Sequence, residues 1–173
     1  MHLEIQTALN AAIANPSFSG ALPPLSEDGW RKLVVSHTSE TAAENDRLEF
    51  LGDALMYATI GKLLYTQCPQ GSPHLYTVLR SALHSNATFS KLAEKLDVFA
   101  VSKVVLNALT AQTFGEGSLV RPKPRLAIKK TADLFEAVIG AYYMERGFEA
   151  LYEWVNEIYA PLIVIAKKSF SAT

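Results

Sequence analysis

Apolar residues recur at helical spacing along most of this 173-residue chain. Leu3, Ile5, Ala8, Leu9, Ala12 and Ile13 predict a first helix over residues 1–14. Residues 15–28 hold Pro16, Gly20, Pro23 and Pro24 and read as a loop. Ser26, followed by Glu27 and Asp28, is a helix-start signal for a second helix reaching about Val35. Residues 37–43 read as a connection into the stretch NDRLEFLGDAL at 45–55, whose helix continues through Tyr65. Gly52 inside that helix lowers its propensity, so something is expected to pack close to the backbone there. A turn over 67–74 leads to helices over 75–84 and 86–97. Residues 98–109 fit helix or strand and are read as helix beside helical neighbours; residues 110–124 are the longest loop. A strongly helical stretch, AIKKTADLFEAVIGAYYMERGF, then runs to a Gly147 cap, and a final helix over 148–168 is expected to bend or break at Pro161. The pattern predicts an all-α chain of seven or eight helices, without repeats or strands. Residues 1–29 form a helix-and-loop extension and 30–173 the main domain, together one globular unit.

With 49% hydrophobic residues the chain can bury a sizeable core. Sixteen basic side chains against 17 acidic ones exclude nucleic-acid binding through bulk positive charge, so any such contact needs local clustering. One such cluster exists: Arg121, Lys123 and Arg125, then Lys129 and Lys130. It reads either as a solvated loop or as phosphate-backbone contacts. The one cysteine, Cys68, permits no internal disulfide and reads as a small core residue. His37 reads as a structural histidine near a helix end. The N-terminus has no basic, apolar leader pattern, and no apolar run is long enough for a membrane span. The expected setting is intracellular, with nucleus, cytoplasm and mitochondrion not distinguished.

The candidate chemistry lies in carboxylates. Asp46, Glu49 and Asp53, at relative positions 0, 3 and 7, share one stripe of a helix. Leu48, Phe50, Leu51, Ala54, Leu55 and Met56 make the rest of that helix apolar, which predicts burial. Asp133 and Glu136 repeat the arrangement on the second apolar helix. If the two helices pack side by side, Glu49, Asp53, Asp133 and Glu136 converge on one cleft. Hard oxygen ligands at that density suit Mg²⁺, with Mn²⁺ as a substitute, and no Cys or His set points to zinc. Mg²⁺ keeps waters and takes phosphate oxygens, which points to phosphodiester chemistry. Two other readings stay open: a glycosidase-like carboxylate pair, and acids merely salt-bridged to Arg47, Arg80 or Lys129.

At 45–55 the chain resembles the ribonuclease III family, whose defining stretch reads close to NERLEFLGDAVL. ADLFEAVIGAYYMERGF at 132–148 is similar to the family's ADxFEALIGAxYLDxGF. Residues 79–98 look like the family's third helical segment, and His37 with Ser39 match an H-x-S just upstream. The resemblance implies an all-α endonuclease domain cutting double-stranded RNA with divalent metal to leave 5′-phosphate and 3′-hydroxyl ends. It places Glu49, Asp53, Asp133 and Glu136 as the Mg²⁺ ligands and Lys129 as a supporting charge near the scissile phosphate. It also implies a homodimer, a heterodimer being the variant, with Phe50 inserting into a socket on the partner.

The chain departs from the family pattern in two places. Asp46 stands where the family has Glu, which keeps the charge but shortens the reach of an outer-shell acid. Pro73 stands where the family has another glutamate, and no core ligand is lost with it. No double-stranded-RNA-binding domain follows the second motif, so weak, salt-dependent affinity for long duplexes is expected. The competing reading is a non-catalytic relative that binds RNA or a ribosome; such relatives generally lose metal ligands.

Overall fold

The computed structural model describes residues 2–34, 39–98 and 125–172. Six helices occupy them: α1 (His2–Ala14), α2 (Glu27–Val34), α3 (Ser39–Gln67), α4 (Pro73–Leu83), α5 (Asn86–Lys95) and α6 (Arg125–Ser171). No strand occurs among the described residues. The readings for 99–109 and 110–124 lie outside them.

α6 is the axis of the fold. It packs against all five other helices, most extensively against α3 and α5. At Gly147 the backbone takes φ 77° and ψ −179°, a conformation open essentially to glycine, so α6 breaks into two limbs there. The expected stop at Gly147 is therefore real. At Pro161 the helix is not interrupted but runs through to Ser171. Buried Phe135, Val138, Ile139 and Tyr142 of the first limb and Trp154, Val155, Ile158 and Tyr159 of the second build the core. Ile5, Leu9 and Ile13, one turn apart on α1, are fully buried in the same core, whereas Leu3 is exposed.

Local capping explains three of the helix starts. Ser26 Oγ accepts from the Gly29 amide, as its position before two acids predicted. α4 begins at Pro73, two residues before the predicted start, because Ser72 caps the Leu75 amide and proline suits the first helical position. Ser85 caps α5 by accepting from the Thr88 amide. α3 starts at Ser39, inside the predicted connection, where SETAAE supplies good helix formers. Cys68 is buried and free.

α3 and α6 meet without side chains between them. A Cβ on Gly52 would run into the carbonyl oxygen of Glu136, and one on Gly140 into that of Leu48. The close packing expected at Gly52 is thus the α3–α6 crossing. The predicted burial of the surrounding stretch is met only in part: Met56 is fully buried. Leu48, Leu51 and Leu55 are half-buried, Ala54 is exposed, and Phe50 is 79% exposed. One flank of α3 lies on α6, and the rest faces a cleft and solvent.

Candidate metal centre

The glycine crossing sets the acids face to face. Glu49 and Asp53 rise on α3 on either side of Gly52, and Asp133 and Glu136 rise on the first limb of α6. Glu49, Asp133 and Glu136 each offer an oxygen to a group whose atoms all lie within 4.8 Å of one another. Asp46 and Asp53 line the same cleft with them, as do Phe50, Asn86 and Lys129. Asp53 is not in the tight group. Its Oδ1 lies 3.2 Å from His84 Nε2 at the end of α4.

The electrostatics follow from crowding. Glu136 is only 5% exposed. Burial, and then the charges of Asp53, Asp133 and Glu49, push its carboxyl up to about 8. Glu49 is raised by burial and by Asp133, with Lys129 opposing. Lys129 Nζ sits 2.7 and 2.8 Å from the two Asp133 oxygens and 3.6 Å from Glu49. The Asp133 hydrogen bond raises the lysine above its ordinary value. Beneath Glu136 the fully buried Tyr159 is held well above the ordinary phenol value by burial and by that acid.

The salt-bridge reading therefore holds for Lys129 alone of its three cations. Arg47 pairs with Glu44, and Arg80 lies over the Tyr57 ring. One lysine, more than half exposed, does not neutralise the cleft. An acid held protonated near neutral pH beside two carboxylates is a donor set short of positive charge. Clustered hard oxygens short of charge could hold a divalent cation.

The other predicted residues fall as follows. Lys130 is exposed on α6 and does not line the cleft. His37, Arg121, Lys123 and the side chain of Arg125 lie outside the described residues. Phe50 and Met144 are exposed beside a groove of about 440 Å³ that adjoins the acid cleft through Asp46 and Phe50 and is lined also by Glu44, Arg47, Leu48 and Leu51. The sequence reading missed His84, Asn86 and Tyr159. None carries a spacing signal: His84 and Asn86 come from the α4–α5 junction, and Tyr159 looks like any core aromatic. No helix among the described residues is long and apolar enough to cross a membrane.

Residues 46–147 match the family model of the ribonuclease III domain. Ribonuclease 3 of Bacillus cereus is 34% identical over 130 residues, covering 75% of this chain and 49% of the relative. Ribonuclease 3 of Nitratiruptor sp. is 35% identical over 123 residues, covering 70% and 50%. The chain thus spans about half the length of the curated relatives it matches. Among solved structures, Dicer from Pichia stipitis superposes with a TM-score of 0.61 at 26% identity, over 86% of this chain and 63% of that one. The nuclease domain of ribonuclease III from Campylobacter jejuni, described for flexibility in a region involved in dimer formation, gives 0.52 at 20% identity, over 78% and 97%. The second likeness speaks for the fold.

Proposed function

Since the chain belongs to the ribonuclease III family, we propose that it is a divalent-cation-dependent endoribonuclease that hydrolyses double-stranded RNA as a dimer. The observation that carries this reading is the convergence of Glu49, Asp133 and Glu136 from two helices, with Asp53 at the rim of the same cleft. These four would hold Mg²⁺, or Mn²⁺ in its place. Bound there, the metal would supply water activation and charge stabilisation for displacement at phosphorus.

The chain's own residues prepare the cleft. Glu136, its carboxyl pushed up to about 8 by burial and the neighbouring acids, would have to lose its proton to serve as a ligand. Lys129, anchored on Asp133 and mostly exposed, is placed to meet a phosphate oxygen as charge builds. Asp46 serves in an outer role at the cleft's edge. The products carry 5′-phosphate and 3′-hydroxyl ends. Arg121, Lys123, Arg125 and Lys130 hold the phosphate backbone without reading sequence. Phe50 inserts into the groove of a second subunit, a homodimer being favoured over a heterodimer.

The complete acid set argues against the non-catalytic alternative. Incubation of duplex RNA with the protein, with and without Mg²⁺, tests the proposal. Mg²⁺-dependent cleavage is expected, abolished by Asp53→Asn or Glu136→Gln. RNA left intact at high protein and low salt would overturn it.

A further inference from the structure

The side chain of His84 sits where nothing in the chain's helical pattern required a polar group. His84 follows the last residue of α4, and its backbone amide caps that helix on Arg80. Its ring points across to α3. Nε2 lies 3.1 Å from the backbone carbonyl of Asp53 and 3.2 Å from Asp53 Oδ1. A carbonyl oxygen only accepts, so Nε2 must carry a hydrogen, and it does so whether the ring is neutral or charged. The contact is therefore a donor fork onto one residue, set by geometry.

The ring is itself fixed from both sides. Tyr57 meets it edge-on at 5.4 Å between centroids and 88° between planes, and Phe89 of α5 at 5.1 Å and 76°. Arg80, one turn before His84, lies 4.0 Å over the Tyr57 ring. Arg80 and His84 of the α4 end thus face Tyr57 and Asp53, also one turn apart, as two rungs between helices. Phe89 continues to Phe135, whose chain neighbour is Glu136. The His84 side chain is 16% exposed and that of Asp53 is 55% exposed, so the mobile partner is the acid and the fixed one the ring.

We propose that His84 is a positioning residue that holds the Asp53 carboxylate at the lining of the acid cleft through Oδ1 and leaves Oδ2 free to meet an ion bound there, raising the cleft's affinity for a divalent cation. This rests on the metal-dependent reading above. An exposed aspartate otherwise samples several rotamers, and fixing it in one lowers the ordering cost of holding an ion. Hydrogen-bonded outer partners of ligating carboxylates typically change metal affinity or activity by about 10- to 100-fold.

Two substitutions separate the donor from the ring. His84→Phe keeps the edge-on contacts with Tyr57 and Phe89 and removes the donor. His84→Gln keeps a donor at the reach of Nε2 and removes the ring. Mn²⁺ binding is measured by titration calorimetry without RNA, with kcat and KM on duplex RNA beside it and circular dichroism to verify folding. H84F is expected to lose roughly 10- to 100-fold in Mn²⁺ affinity and to lower kcat with KM for RNA little changed. H84Q is expected to recover most of that loss. In an Asp53→Asn background, H84F is expected to have no further effect on Mn²⁺ affinity. Wild-type-like Mn²⁺ affinity in folded H84F would overturn the proposal, as would better binding by H84F than by H84Q, or additive losses in the double variant. Each of these leaves cleavage by the wild type intact. Wild-type protein that takes up no Mn²⁺ and cuts no duplex would overturn the functional reading as well.

Discussion

Gly52 lies directly against the backbone carbonyl of Glu136, with no room for a Cβ between them. This contact brings α3 and α6 to backbone distance between the acids of one helix and those of the other. A methyl at position 52 would force the helices apart at the place where Glu49, Asp133 and Glu136 converge. The carbonyl cannot move aside as a flexible side chain would, because it belongs to the helix.

Gly52→Ala should therefore destabilise the fold by about 1–3 kcal/mol or more, despite alanine's better helix propensity. It should weaken Mn²⁺ binding as well. Gly61 on the same helix is the control, since its Cβ would meet only Arg80 Nη1 at 3.8 Å, an ordinary contact. Gly61→Ala should stabilise by up to about 1 kcal/mol. Urea unfolding of both variants distinguishes crossing from propensity; equal effects of the same sign would refute the packing argument.

Glu136 makes the stability of the metal-free protein fall with pH. Its carboxyl ionises near 4.5 in an unfolded chain but only at about 8 in the folded one. The folded state then binds more protons than the unfolded one across that window, so stability is fully present below 4.5 and is lost as pH rises through 8. Thermal melts in chelator should show the midpoint dropping from pH 5 to 8.5. Glu136→Gln should flatten that slope, and added Mg²⁺ should raise the midpoint far more at pH 8 than at pH 5. Parallel profiles for the wild type and E136Q would assign the slope elsewhere.

Lys129 competes for the acids it accompanies. Its ammonium occupies both Asp133 oxygens and faces Glu49. Lys129→Met should leave the carboxylates more repulsive and so tighten Mn²⁺ binding. Turnover at saturating metal should fall, on the order of a hundredfold if the lysine meets the phosphate charge. Calorimetry and single-turnover cleavage read the two effects separately. Weaker metal binding in K129M would show that the lysine organises the cleft rather than competing in it.

Helical spacing carried the fold well, because buried positions such as Ile5, Leu9 and Ile13 repeat at the period of one helix face. The acid pairs were legible for the same reason, and Gly52 announced a close approach through its cost in a helix. Other features were not legible. The exposure of Phe50 and Ala54 depends on which flank of α3 meets α6, and an apolar run does not encode that. His84 and Asn86 reach the cleft from the α4–α5 junction, where chain direction rather than periodicity decides what points where. Glu136's protonation depends on burial and on three other acids gathered from two helices, so it exists only after folding.

Phe50 should govern assembly. It is 79% exposed on the protomer, and Met144 beside it is 67% exposed. Both border the groove of about 440 Å³ that runs along Leu48 and Leu51. A large exposed ring beside a groove that carries Leu48, Leu51 and Met144 fits the proposed isologous interface, in which each subunit would supply both knob and hole. Phe50→Glu would remove the knob and put a charge into a groove whose wall already carries Glu44, Asp46 and Arg47. Light scattering should then report a dimer for the wild type and a monomer for F50E. The wild-type melting midpoint should rise with protein concentration, as mass action requires, while that of F50E stays constant. Its far-ultraviolet circular dichroism should be unchanged, since the ring is exposed and does not contribute to the protomer core. A wild-type protein that is monomeric across the accessible concentration range would refute this reading of Phe50.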